Sequence, residues 1–143
     1  MPAVDHPSSI LWKLTPQHVT QAKQKLNSSQ QSYNDTVLAL QASMVILGEN
    51  DDDDTALAYL EDPNLLKILR AVDIENLSVS QQQRHTKYLR NPIFQPTKLA
   101  RTNEFCSKLC EWNHSIATYQ RSKFENIKKD GSPLKSQSPT RYN

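Results

Sequence analysis

Two cysteines and a histidine, Cys106, Cys110 and His114, recur every four residues along one predicted helix. Thiolates and imidazoles at that spacing share a face and could offer a metal ion two ligands. A straight helix cannot wrap a third around a tetrahedral ion, and the sequence holds no second such cluster, so no metal site is expected. Asn50, Asp52, Asp54 and Glu61 fall at positions one, three, five and twelve of a calcium-binding loop, with Leu57 at the apolar eighth. The sixth position wants glycine for its sharp turn and holds Thr55, and Pro63 would disrupt the exit helix. Residues 49–62 are therefore read as a solvated acidic loop, with calcium binding as the alternative. His6, His18, His85 and His114 are scattered, and no serine or cysteine is set beside one as nucleophile to base. The only glycines, Gly48 and Gly131, leave no phosphate-cradling loop. No enzyme and no cofactor are expected.

Charge is where the sequence concentrates. Between Glu75 and Glu104 there is no acidic residue, while Arg84, Lys87, Arg90, Lys98 and Arg101 fall in that window. The first three are three apart on one helix, and the other two lie on the first turn of the next. Together they make a local basic patch suited to an acidic partner. Few aromatics interleave with it and no nucleic-acid-binding signature is present, so nucleic acid is not the expected partner. Residues 49–62 hold Glu49, Asp51, Asp52, Asp53, Asp54, Glu61 and Asp62 without a balancing base.

The elements that carry these charges follow from punctuation and period. Asn91-Pro92-Ile93-Phe94-Gln95-Pro96 cannot be regular helix, and Pro96 suits a first helical position. Downstream, Phe105, Leu109, Trp112, Ile116 and Tyr119 recur at spacings of four and three, one apolar seam on a helix predicted from Pro96 to about Lys128. Thr15-Pro16 starts another helix, which Gly48 ends. Its apolar positions change spacing around Ser29 and Gln30, so its first part is read as one strand of a two-helix stalk. Asp62-Pro63 opens a short helix with Leu65, Leu66, Leu69 and Val72 inward. Residues 73–77 read as a turn, and Ser80 as the cap of a further helix through Leu89.

The chain has 143 residues, 36% of them hydrophobic, with a net charge of +2. Its mean hydropathy is −0.70. That suits a single elongated helical domain with frayed ends. Residues 1–15 are read as a flexible leader with an apolar plug at Ile10, Leu11 and Trp12, and residues 129–143 as a disordered tail. No secretory signal is visible, and the apolar run from Val37 to Leu47 is too short to span a membrane. Free thiols, a soluble chain, an intracellular setting and no membrane partner are the expectation.

From Gln41 to Tyr119 the order of segments resembles the microtubule-binding tip of the dynein heavy chain stalk. The resemblance rests on the run from Leu40 to Gly48, then Asp62-Pro63-Asn64-Leu65-Leu66, then Val72-Asp73-Ile74-Glu75-Asn76-Leu77. Its strongest part is Lys87-Tyr88-Leu89-Arg90-Asn91-Pro92-Ile93-Phe94-Gln95-Pro96, followed by Leu109-Cys110-Glu111-Trp112 and Tyr119. It implies an all-α fold: an antiparallel two-helix coiled-coil stub, residues 16–33 against 105–128, carrying a small helical bundle at about 34–104. It also implies tubulin as partner, with other dynein or axonemal subunits as further candidates, in the cytoskeleton of cytoplasm or cilium. Arg101 matches a tubulin-contacting position, and Arg84, Lys87, Arg90 and Lys98 lie on the matching surface. The chain departs from the family in carrying Tyr33-Asn34 for a proline pair, Val37 for a lysine, and Asp51 to Asp54 in the loop. Added acids and a lost base weaken attraction to acidic tubulin. The ATP-hydrolysing ring is absent, so a motor role would belong to a longer protein. The alternative reading keeps the fold as a protein–protein interaction module without tubulin binding.

Overall fold

The computed structural model describes residues 6–129, with side chains to Lys123. Eight α-helices and one 3-10 turn make up the described residues: α1 (Ser8–Leu11), α2 (Pro16–Lys25), α3 (Gln30–Leu47), α4 (Asp53–Glu61), α5 (Leu65–Ala71), the 3-10 turn Ile74–Asn76, α6 (Val79–Leu89), α7 (Pro96–Leu99) and α8 (Glu104–Lys129). The expected all-α class is observed. The expected tail lies, past Lys129, outside the described residues, as do residues 1–5 of the expected leader.

The hub is the pair α3 and α8. Thr36 Oγ1 lies 3.4 Å from Cys106 Sγ, and Asn113 Nδ2 donates to Ser43 Oγ at 3.1 Å. Both pairs join residues seventy apart in sequence, so the two helices run parallel and in register. Around them pack Leu40, Met44, Leu60, Leu69, Phe94 and Leu99, all buried.

The chain before α3 lies along α8 in the opposite sense. His6 sits edge-on against Tyr119, with ring centroids 5.1 Å apart. At the other end, the Lys25 carbonyl accepts from Ser32 Oγ on α3, one turn before Thr36 meets Cys106. From His6 onward the residues read as a flexible leader are therefore packed. Leu11 and Leu14 are buried, and Arg70 Nη2 donates to both their carbonyls, at 3.2 and 2.7 Å.

Several expected long elements are broken, each by a polar side chain that satisfies the backbone better than another helical turn would. The helix expected over residues 16–47 stops at Lys25. Ser28 Oγ donates to the Lys25 carbonyl at 2.7 Å, and Ser29 Oγ accepts from Ser32 N at 3.0 Å as the cap of α3. The helix expected from Pro96 ends at Leu99, and α8 starts afresh where Asn103 Oδ1 accepts from Cys106 N at 2.9 Å. The acidic stretch is a helix start rather than a loop. Asp52 caps α4 through Thr55 N at 2.7 Å, and Asp53 and Asp54 sit where the helix dipole favours negative charge. Helix from Asp53 onward leaves no twelve-residue calcium loop at 50–61. Ser78, not Ser80, caps α6, in a capping box with Gln81. Gly48 ends α3 at φ 78°, as its position suggests.

The breaks also change what the seam does. Phe105, Leu109, Trp112 and Ile116 are each 1% exposed or less. They face a core shared by several helices: α2 packs against α8 in the expected antiparallel sense, but α1, α3 and α7 pack there too, so the seam is not that of an isolated two-helix pair. Tyr119, at the seam's end, is half-buried and donates its hydroxyl to Glu75.

Candidate interaction surface

The basic residues are displayed by α6, the link after it, and α7. Gln81 Nε2 seats α6 on the end of α3, donating to the carbonyls of Val45 and Ile46 at 3.0 and 3.3 Å. Those are among the last α3 carbonyls, which lie past the regular helical ladder; the Val45 carbonyl also accepts from Gly48 N at 3.1 Å. One turn on, His85 points inward. Its Nε2 is 2.8 Å from Asn113 Oδ1, and Asn113 in turn bonds Ser43 Oγ and the Leu109 carbonyl. A single buried polar chain thus pins α6 to α8 and α3. Burial holds the His85 imidazole below its ordinary pKa, against the bond to Asn113, so the ring is neutral at pH 7 and donates from Nε2.

The link is fixed as firmly. Asn91 Oδ1 accepts from Ile93 N at 2.9 Å, which turns the chain. Phe94 then plunges inward and stacks on His114 with centroids 5.3 Å apart, while its carbonyl accepts from His114 Nε2 at 2.7 Å. His114 is thereby occupied. Cys106 and Cys110 are free and buried, and burial pushes each thiol up to about 12. These three residues hold the fold, and two of them are inert as nucleophiles near neutral pH.

The five bases expected to form one patch have divided roles. Arg84 Nη2 lies 3.2 Å from Asp51 Oδ1, and Tyr88 donates its hydroxyl to the other oxygen of that carboxylate at 2.6 Å. The tyrosine bond, ahead of Arg84, holds Asp51 below the usual carboxylate range. Burial, reinforced by Asp51, raises Tyr88. Arg101 contacts Asp35 on α3 with Nε and Nη2 at 3.2 and 3.3 Å, and Thr102 adds its hydroxyl. The Asp35 side chain is 3% exposed, so Arg101 serves as its counter-ion. Lys98 Nζ donates to the Pro92 carbonyl at 2.9 Å and remains exposed. Lys87 and Arg90 are exposed. The outward charge is therefore carried by Lys87, Arg90 and Lys98, and acids held close mask the two arginines.

A groove of about 500 Å³ opens between α6 and α8, lined by Leu77, His85, Leu89, Ala117 and Arg121. Beside it Glu75 gathers Tyr119 and Lys123, which hold it below its ordinary range, the lysine most strongly. Among the described residues no group of three or more His, Cys, Asp or Glu could hold a metal ion, and no helix is long and apolar enough to cross a membrane. Sequence reasoning missed Asp35, Asn113 and Tyr88. Asp35 is an acid in a helix that is otherwise uncharged, the one visible hint that it needs a partner.

The chain is similar to part of a dynein heavy chain. Dynein axonemal heavy chain 6 of Homo sapiens is 30% identical over 82 residues, which are 57% of this chain and 2% of that one. This chain thus spans a very small part of the heavy chain's length. No family model matches it, and no solved structure does.

Proposed function

We propose that this chain is a non-enzymatic, dynein-stalk-like module that docks on microtubules through the edge formed by α6, the 91–95 link and α7. It is part or relative of a ciliary or cytoskeletal motor heavy chain. The observation that carries the reading is the likeness to a dynein heavy chain over 82 residues, joined to the exposed Lys87, Arg90 and Lys98 on neighbouring elements. Tubulin is acidic, and three outward bases on a rigid edge give attraction without a pocket. Arg84 and Arg101 add little at a distance, because a charge paired at 3.2 Å acts as a dipole, and salt screens it within a Debye length, about 8 Å at physiological strength.

The test is co-sedimentation with microtubules. Binding at low salt that falls as salt rises, and that is lost in Lys87→Glu/Arg90→Glu, supports the reading. Pelleting at background in low salt, or pelleting indifferent to that double substitution, rejects it. Arg101→Glu is a poor probe, since it sets a carboxylate against Asp35 and would disturb α3.

A second reading keeps the fold as a protein–protein interaction module without tubulin binding. What favours it is the masking of two of the five bases by Asp35 and Asp51. A folded chain that fails to pellet while retaining a non-tubulin partner supports it.

A further inference from the structure

We propose that the groove between α2 and α5, joined to the exposed Trp12 through Arg70, docks a short acidic segment of a partner protein bearing one aliphatic side chain. It lies on different elements from the basic edge, and nothing in the proposed function depends on it.

Trp12 is 68% exposed, the first sign. An indole left in water would ordinarily swing freely, but this one is held. The Arg70 guanidinium lies 4.2 Å from its ring centroid. Arg70 is itself fixed through its bonds to the Leu11 and Leu14 carbonyls. The cation–π contact and those two bonds display a flat apolar surface at small entropic cost on binding, which is what makes tryptophan a frequent anchor of interfaces.

The same Arg70 lines a cavity of about 350 Å³. Val19 of α2 and Leu65 and Leu66 of α5 give it an apolar floor, and Lys23, Lys67 and Arg70 stand on its rim. The one acid of the lining, Asp62, already accepts from Asn64 N at 2.8 Å. Lys23 has only a loose pairing with Glu61, at 4.0 Å. Arg70 Nε is buried and has no acceptor within the described residues. That atom has no accessible surface, so the attraction offered to a ligand comes from the positive charges of Lys23, Lys67 and Arg70 on the rim. The rim therefore selects negative charge, and the floor selects an aliphatic group. A lipid surface fits less well: among the described residues the other large exposed hydrophobics, Val79 and Ile93, sit on other elements and build no broad apolar face with Trp12.

The probe is an end-blocked pentapeptide of leucine flanked by two glutamates on each side, with a lysine-flanked counterpart as control. It is titrated into the ¹⁵N-labelled full chain and followed by amide and indole resonances. Saturable shifts confined to Trp12, residues 16–23 and residues 62–70, and absent with the control peptide, are the expected result. Trp12→Ala and Lys67→Glu, both on exposed side chains, should each weaken binding about tenfold with the helical spectrum unchanged. Shifts centred on Lys87 and Arg90, or an affinity that neither substitution alters, overturn the proposal. So does binding to phosphatidylserine vesicles without binding to the acidic peptide.

Discussion

Replacing Asn113 with leucine asks how much the buried polar chain contributes. Asn113 is fully buried, and His85 is 3% exposed. In Asn113→Leu the His85 N–H, on a side chain 3% exposed, loses its acceptor, which costs about 1–3 kcal/mol. Ser43 loses one partner but still donates to the Ala39 carbonyl at 2.9 Å, so its share is about 0.5–1 kcal/mol. The expected loss is about 2–3 kcal/mol, read as a lower urea midpoint with an unchanged slope. Removing both ends, in His85→Leu/Asn113→Leu, takes away the stranded donor as well. The double variant should therefore be more stable than the sum of the single losses implies, by about 1–2 kcal/mol. Acid gives an independent reading. The His85 pKa lies below its ordinary 6.5 in the fold. Below that pH the unfolded chain takes a proton that the folded chain refuses, so this contribution is complete above 6.5 and is lost as pH falls toward the folded value. Variants lacking His85 should lose that part of the pH dependence. A single Asn113→Leu change within about 0.5 kcal/mol of the parent, or strictly additive variants, would refute the reasoning.

Other consequences are as readily measured. Gly48→Ala should cost about 1 kcal/mol, visible as a lowered melting temperature. The strain lies in the backbone at φ 78°, since the added Cβ would meet nothing closer than Gln81 Nε2 at 3.6 Å. Cys106 and Cys110 should resist a thiol reagent in the native chain and react at once in denaturant; rapid native labelling of either would contradict their burial. Trp12 and Trp112 are 68% and 1% exposed, so acrylamide should quench two emission components. Trp12→Phe should remove the accessible, red-shifted one.

Helix starts at Thr15-Pro16 and Pro96, and the end of a helix at Gly48, were legible because those residues restrict φ or supply a cap on their own account. The change of apolar spacing at Ser29 and Gln30 marked a shift in packing there but not the break in the backbone, and at Asn103 nothing in the apolar period signalled the break, because that period reports only which side faces inward. The same blindness affected Asp52, whose carboxylate reads as solvated charge in composition and acts as a cap in space. The seam from Phe105 to Ile116 was legible as buried, but a seam does not say what covers it. α1, α3 and α7 supply that cover together with the antiparallel α2. The basic residues were visible as a run without acids. That Arg101 belongs to Asp35 and Arg84 to Asp51 is a tertiary fact, set by how α3 lies against the rest.

The parallel setting of α3 and α8 has a mechanical consequence. A pull along α8 loads the Thr36–Cys106 and Ser43–Asn113 contacts together, in shear. A slip of one turn, about 5.4 Å, would bring Leu109 level with Ser43 and strand the Asn113 amide among apolar neighbours. There is no equivalent seat one turn away, so this pair acts as a latch and not a rail, and force applied to the end of α8 reaches α6 through His85 with little play.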